Sequence, residues 1–183
     1  MIVTAVVFVH FLEYHEEKVD RLGWEFKDPA FLIFPRFNCS TYIFTITYGS
    51  MIIYVFTQYK TKLYFSKLMI SYTILLILRM FTLTLLPFQE SSEIIFLEDP
   101  FLNTLVYPGN IDGDLFFSGH TALLFILLFL TRNKIFLILG IILGLLLIIQ
   151  RVHYSIDVLA AIPFAYLIVR ITEYMTSRLQ IKD

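Results

Sequence analysis

Basic residues are missing from the longest polar stretch of this chain: residues 88–116 hold Glu90, Glu93, Glu98, Asp99, Asp112 and Asp114 but no Lys or Arg. Cysteine is nearly absent as well. The single copy, Cys39, excludes an intrachain disulfide framework and a cysteine-based zinc site, and reads as a small packing residue. Charge is scarce: Lys+Arg 14 against Asp+Glu 15 leave a formal net charge of −1, with 16% of residues charged. No basic excess exists to meet a phosphate backbone, so nucleic acid is excluded as a partner. There is no internal repeat, low-complexity tract or second domain. Met1–Leu12 is apolar but short, without a basic leader or small-residue cleavage site, and reads as a short first helix rather than a signal peptide.

What fills the 183 residues instead is apolar: 58% hydrophobic and 17% aromatic, with a mean hydropathy of +0.76. That is too apolar for an ordinary soluble domain and predicts an integral membrane protein, all-α, a single polytopic transmembrane helical bundle of about six spans. The spans are expected at 2–12, 39–56, 66–86, 116–131, 135–150 and 156–174, the third closed by Pro87. The second and third match the roughly 20 residues that a bilayer requires. Between the first two lies a polar stretch with Trp24 and the breakers Pro29 and Pro35, expected to be an interfacial loop with an aromatic anchor.

On six spans, Lys60, Lys62, Lys67, Arg132, Lys134, Arg178 and Lys182 fall on one side with both termini, and the acidic loop falls on the other. The positive-inside rule makes the basic side cytoplasmic and the acidic face periplasmic, extracellular or lumenal. Lys18, Arg21, Lys27 and Arg36 in the first loop run against this assignment.

Two polar stretches bracket the most apolar part of the chain. Asp-Gly-Asp-Leu-Phe-Phe-Ser-Gly-His-Thr (112–121) and Arg-Val-His-Tyr-Ser-Ile-Asp (151–157) flank Ala122–Gln150, broken only by Thr-Arg-Asn-Lys at 131–134, where the chain must reverse. The two arms have similar lengths, so both polar stretches return to one membrane face. Twelve or so residues at 1.5 Å each cover about 18 Å, less than the roughly 30 Å hydrocarbon core. With Arg132 and Lys134 at one interface, His120 lies somewhat below the other, and an ionisable group there points to function.

The residue types suit phosphorus chemistry. His153 and Asp157, four apart, share a face if the last helix begins one turn early; the carboxylate then holds one imidazole nitrogen and leaves the other as a nucleophile. The alternative is that Ser155 caps this helix and Asp157 only favours its dipole. His120 opens the fourth helix directly after Ser118 and Gly119, where free N–H groups form an anion site and glycine permits close approach. Taken alone, His120 reads equally as a satisfied polar residue at a helix end. A phosphate held there lies within reach of His120 as general acid and His153 as nucleophile. Arg151 supplies a fixed positive charge and Arg79 a second, although Arg79 by itself reads as a snorkelling side chain. His120, His153 and Asp157 can also ligate zinc, but the adjacent arginines favour an anion over a cation, so no metal and no cofactor is expected. His10 reads as packed, and His15, beside Glu13, Glu16 and Glu17, as solvated.

Ser-Gly-His-Thr (118–121) opening one helix and Arg-Val-His-Tyr-Ser-Ile-Asp-Val (151–158) entering another resemble the second and third signature motifs of the type 2 phosphatidic acid phosphatase superfamily. The sphingomyelin-synthase-like branch is the closer match. Its members are similar in Gly-Asp ahead of Ser-Gly-His-Thr, here Gly113 and Asp114, and in an Arg with Thr-x-Leu-Pro, here Arg79 to Pro87. Pro35 and Arg36 are a fainter echo. Bacterial relatives described only as phosphatase-related are similar from Leu86 to Phe101. The superfamily's first motif, a Lys followed at fixed distance by Arg-Pro, is absent, and Arg-x-His at 151–153 replaces a longer interval; both departures point to the synthase-like branch.

The resemblance covers most of the chain from about Asp28 onward. It implies a six-span bundle and metal-independent phosphoryl chemistry on phospholipids. His153 would attack phosphorus to form a phosphohistidine, Asp157 would orient it, and His120 would protonate the leaving alcohol and then deprotonate the acceptor. Arg79, Arg151 and the backbone of Ser118 and Gly119 would hold the phosphoryl oxygens. Asp114 would tune His120 or orient the head group, and one of Glu90, Glu93 and Glu98 would join the site. Water as acceptor makes a lipid phosphatase; a ceramide or diacylglycerol hydroxyl makes a head-group transferase. The phosphatase outcome is preferred because short loops leave little material to select a second lipid. A non-catalytic lipid-binding membrane protein is the alternative of another class, and the intact set of His120, His153 and Asp157 speaks against it. A transporter is weaker still, with no inverted repeat or broken-helix pair in view.

Overall fold

A computed structural model of the protein describes residues 1–22, 24–61, 63–97 and 115–180. Among these the fold is all-α apart from one two-stranded pair: α1 (Ile2–Leu22), β1 (Trp24–Glu25), α2 (Ala30–Ile33), α3 (Ser40–Gln58), α4 (Tyr64–Leu85), β2 (Phe88–Gln89), α5 (Gly119–Thr131), α6 (Ile135–Ile149) and α7 (Ser155–Gln180). Helix α5 is the axis. It is apolar all round, and every residue from Thr121 to Leu127 is buried, as expected for a helix with no solvated stripe. Helices α3, α4, α6 and α7 all pack on it, while α1 lies outside against α4.

One core cluster joins Leu75 of α4, Phe125 and Ile126 of α5, and Ala161, Ala165 and Ile168 of α7. A second joins Cys39 and Ile43 to Leu124, Leu143 and Leu147 across α3, α5 and α6. Small residues set the closest approaches. A Cβ at Gly140 would lie 3.1 Å from Phe125 Cε2, and one at Gly144 would lie 2.6 Å from Val158 Cγ1, so α6 presses on α5 and α7 through its two glycines. Inside the bundle the Ser71 and Thr172 hydroxyls bond at 2.9 Å between α4 and α7.

The reversal between α5 and α6 falls where Thr131–Lys134 predicts it. Arg132 adopts a left-handed conformation (φ 57°) and its N–H closes α5 on Leu128 C=O at 2.7 Å; Asn133 Oδ1 then accepts from Ile135 N–H at 3.1 Å and opens α6. These are the stop and start devices of helix ends. Three expectations need correction. His10, read as packed, is exposed on α1. Helix α1 does not stop near Leu12 but continues to Leu22, because Leu, Glu, Lys and Arg sustain a helix after the apolar run ends and no glycine interrupts before Gly23. His15, expected to be solvated, is thereby carried onto the inner face of α1; it is buried and stacks on Phe11 with ring centroids 5.4 Å apart.

Two helices, Tyr64–Leu85 and Ser155–Arg178, are long and apolar enough by length and composition to cross a membrane. The outward faces are apolar too: Ile77, Phe81 and Leu85 on α4 and Ile138, Ile141 and Leu145 on α6 are exposed.

Candidate active site

The two polar stretches converge. Ser118, the N-cap of α5, donates its backbone N–H to Asp157 C=O in the first turn of α7, at 3.2 Å. Ser118 is fully buried; its hydroxyl accepts from Thr121 N–H (3.4 Å) and donates to Thr121 Oγ1 (3.1 Å). That cap ties the loop into α5, and the backbone bond ties α5 to α7.

His153 lies in the turn before α7, not on the helix itself, so its approach to Asp157 does not depend on helical spacing. Its Nδ1 stands 3.6 Å from Asp157 Oδ2, with the side chains 3% and 0% exposed. That separation is longer than a hydrogen bond, and catalytic hydrogen bonds commonly tighten only when substrate binds. Asp157 Oδ2 also accepts from Tyr154 N–H at 3.0 Å. Neither His153 Nδ1 nor Asp157 Oδ1 has a hydrogen-bond partner among the described residues. Unsatisfied buried polar atoms are costly, and two on neighbouring side chains mark a place arranged for something other than stability.

Arg79 does not snorkel outward. It is buried at 5% exposure, and a Cβ at Gly119 would overlap its Nη1 and lie 2.9 Å from its Cζ. The guanidinium therefore sits against the first residue of α5, where the helix N-terminus concentrates partial positive charge. On another side Arg79 Cζ lies 5.7 Å from the Phe8 ring, and Thr82, one turn on, donates its hydroxyl to Phe116 C=O at 3.1 Å. His120, next to Gly119, is half-buried with its ring edge-on to Phe44 at 5.9 Å.

Arg151 is placed differently from a simple phosphate ligand. Its Nη2 donates to Phe31 C=O (2.8 Å) and lies 3.4 Å from Glu93 Oε2, while its Cζ stacks over the Phe31 ring at 4.4 Å. The backbone at Arg151 is left-handed (φ 63°), a conformation that costs a non-glycine residue about 1 kcal/mol or more and that these contacts hold. Glu93, of the acidic loop, thus reaches Arg151 through a side chain 57% exposed. Glu90 directly follows β2. Glu98 and Asp114 lie outside the described residues. Among the described residues no three His, Cys, Asp or Glu side chains group as metal ligands would.

Sequence reasoning missed three supports. Asp28, buried, accepts from Ala30 N–H (2.9 Å), from the Ser155 hydroxyl (2.9 Å) and from Ser155 N–H. Gln150, fully buried, accepts from Cys39 N–H (2.8 Å) and donates to Ser40 Oγ, Ile95 C=O and Phe96 C=O at 2.8, 3.0 and 3.2 Å. Tyr154, also buried, donates its hydroxyl to Gln89 C=O at 2.9 Å and stacks on Phe31. Gln150 carried a usable signal, as the polar residue ending an apolar run; Asp28 carried only Asp-Pro, a turn signature. The parallel pairing of Trp24 with Phe88 and Glu25 with Gln89 brings the two loops together behind this surface.

The arrangement offers an imidazole beside a carboxylate at the start of α7 and, joined to it by one backbone bond, the N-terminus of α5 with the buried Arg79 guanidinium of α4 packed against Gly119. No family model, curated protein or solved structure matches the chain.

Proposed function

We propose that this protein is an integral membrane enzyme that transfers the phosphoryl group of a phospholipid through a phosphohistidine on His153, in the manner of the type 2 phosphatidic acid phosphatase superfamily and its sphingomyelin-synthase-like branch. The observation that carries the reading is the bond from Ser118 N–H to Asp157 C=O, which holds the two stretches bearing the resemblance at one end of the bundle. Nδ1 of His153 faces Asp157, so Nε2 is the attacking nitrogen. The N–P bond forms as the P–O bond to the leaving alcohol breaks, and His120 protonates that alcohol. His120 then takes a proton from the acceptor, whose oxygen attacks phosphorus and frees His153. Arg79 and the first N–H groups of α5 hold the phosphoryl oxygens and offset the charge that builds on them. Arg151 joins them when an anionic substrate displaces Glu93.

Six helices, α1 and α3–α7, span the bilayer in this reading, with both termini cytoplasmic and the active site on the periplasmic, extracellular or lumenal face. The apolar outward faces of α4 and α6 support it, since soluble monomers rarely expose continuous apolar surface. Helices α5 and α6, of 13 and 15 residues, reach only about 20 Å at 1.5 Å per residue, so in this reading the site is recessed below the headgroups. Water remains the preferred acceptor, giving a lipid phosphatase; transfer to ceramide or diacylglycerol is the runner-up.

Detergent-purified protein with labelled phosphatidic acid and, separately, phosphatidylcholine with and without ceramide tests this. Free phosphate from wild type and none from His153→Ala is expected, along with an acid-labile phosphoprotein and activity that persists in chelator. A head-group-bearing sphingolipid formed only with ceramide moves the assignment to the transferase. Full turnover by His153→Ala removes the nucleophile.

A further inference from the structure

Helix α7 begins at a tyrosine rather than at a short capping residue. Tyr154 C=O accepts the first intrahelical bond, from Val158 N–H at 3.3 Å, which makes Tyr154 the N-cap, and a tyrosine has no oxygen placed to reach the first-turn N–H groups. Two carboxylates fill this role. Asp157 reaches back to Tyr154 N–H at 3.0 Å, the reverse arm of a capping box. The other comes from 127 residues away: Asp28 accepts from Ser155 N–H through Oδ2 and from the Ser155 hydroxyl through Oδ1 at 2.9 Å. Asp28, three residues ahead of the Phe31 whose carbonyl holds Arg151, is itself fixed by Ala30 N–H.

This division bears on His153. Asp157 Oδ2 serves Tyr154 N–H and faces His153 Nδ1 at 3.6 Å. Uncapped amides in the first turn would compete for the same carboxylate. With Asp28 on Ser155, a second anion meets that demand and Asp157 stays turned toward the imidazole. We propose that Asp28 is a positioning residue: by capping α7 from outside, it leaves Asp157 as the orienter of His153. Its catalytic consequence rests on His153 being the nucleophile proposed above.

Asp28→Asn keeps the shape but turns one acceptor oxygen into an NH2 group facing a donor on Ser155; Asp28→Glu keeps the anion. In full-length protein with phosphatidic acid as the probe, Asp28→Asn is expected to lower kcat about a hundredfold with KM little changed, the scale on which an ångström of misplacement acts. Asp28→Glu is expected to restore most of the loss. A readout without substrate accompanies it: 15N spectra of histidine-labelled protein at a pH where imidazole is neutral, with His153 identified by its loss in His153→Ala. One tautomer is expected in wild type and Asp28→Glu, and a mixture in Asp28→Asn.

Wild-type kcat with an unchanged His153 signal in Asp28→Asn overturns the proposal. So does a variant in which kcat, KM and melting temperature move together and Asp28→Glu is equally impaired, the pattern of a purely structural cap. If wild type releases no phosphate while the His153 signal still follows Asp28, the phosphoryl-transfer reading fails and the positioning of His153 by Asp28 is upheld. Should Asp28→Asn not fold, Ser155→Ala decides by removing only the hydroxyl arm: kcat falls about tenfold for one lost hydrogen bond, or, with no fall and no change at His153, the proposal is refuted.

Discussion

Replacing Gly119 with alanine probes the site with one carbon atom. The new Cβ would fall on Arg79 Nη1 and 2.9 Å from Cζ. Carbon atoms settle at about 3.5–4.0 Å, so Cζ must retreat by roughly an ångström. Arg79 is a flexible side chain and yields more readily than backbone. Alanine also favours a helix over glycine by about 1 kcal/mol, so folding should survive with a melting temperature close to wild type. The loss is the charge at the N-terminus of α5. Hydrogen bonds to charged groups contribute about 1.5–3 kcal/mol; at about 1.4 kcal/mol per decade of rate, kcat for the proposed release of phosphate should fall roughly ten- to a hundredfold. Initial rates with phosphatidic acid, measured beside thermal unfolding, give the number. Because both substitutions act through one guanidinium, Gly119→Ala combined with Arg79→Ala should be no slower than Arg79→Ala alone. Wild-type kcat in Gly119→Ala beside an inactive Arg79→Ala refutes the reasoning, since Arg79 would then act from a place that this Cβ does not reach.

Two alanines elsewhere should move stability in opposite directions in thermal unfolding. Gly144→Ala meets Val158 Cγ1 at 2.6 Å and should cost about 1–3 kcal/mol as α6 and α7 part; Gly49→Ala meets nothing within 4 Å and should stabilise α3 by about 0.5–1 kcal/mol. Gln150→Leu strands Cys39 N–H and the carbonyls of Ile95 and Phe96, and should cost about 3 kcal/mol or more while opening residues 91–97 to limited proteolysis; unchanged cleavage there would mean that Gln150 does not hold that segment. Arg151→Gly and Arg151→Ala lose the same side-chain contacts but differ at a backbone with φ 63°. The glycine variant should be the more stable by about 1 kcal/mol in denaturant unfolding, and equal midpoints would show that the turn relaxes once the guanidinium is gone.

What the sequence made legible was what neighbours along the chain decide. The reversal at Arg132–Lys134 and the opening of α5 around Ser118–His120 rest on residues within one turn of each other, although the span was expected from 116 and the capping role of Ser118 was not foreseen. His153 and Asp157 were readable as a pair by spacing, although a turn rather than a helical face brings them together. Hydropathy alone set the expected end of the first helix at Leu12, and hydropathy is blind to the helix propensity of the charged residues that follow. Long-range partners left no local trace. Nothing near Asp28 names Ser155, and nothing near Glu93 names Arg151, whose guanidinium lies beside that carboxylate.

Gly140 and Gly144 spell a G-x-x-x-G ridge, the kind of small-residue face through which two copies of a membrane helix often pair. Here that ridge is already occupied, by Phe125 on one side and Val158 on the other. A second copy approaching α6 meets instead Ile138, Ile141, Ile142 and Leu145, a surface of branched aliphatic chains that holds two backbones apart. The motif that would join chains has been turned inward, where it seats α6 against its own neighbours.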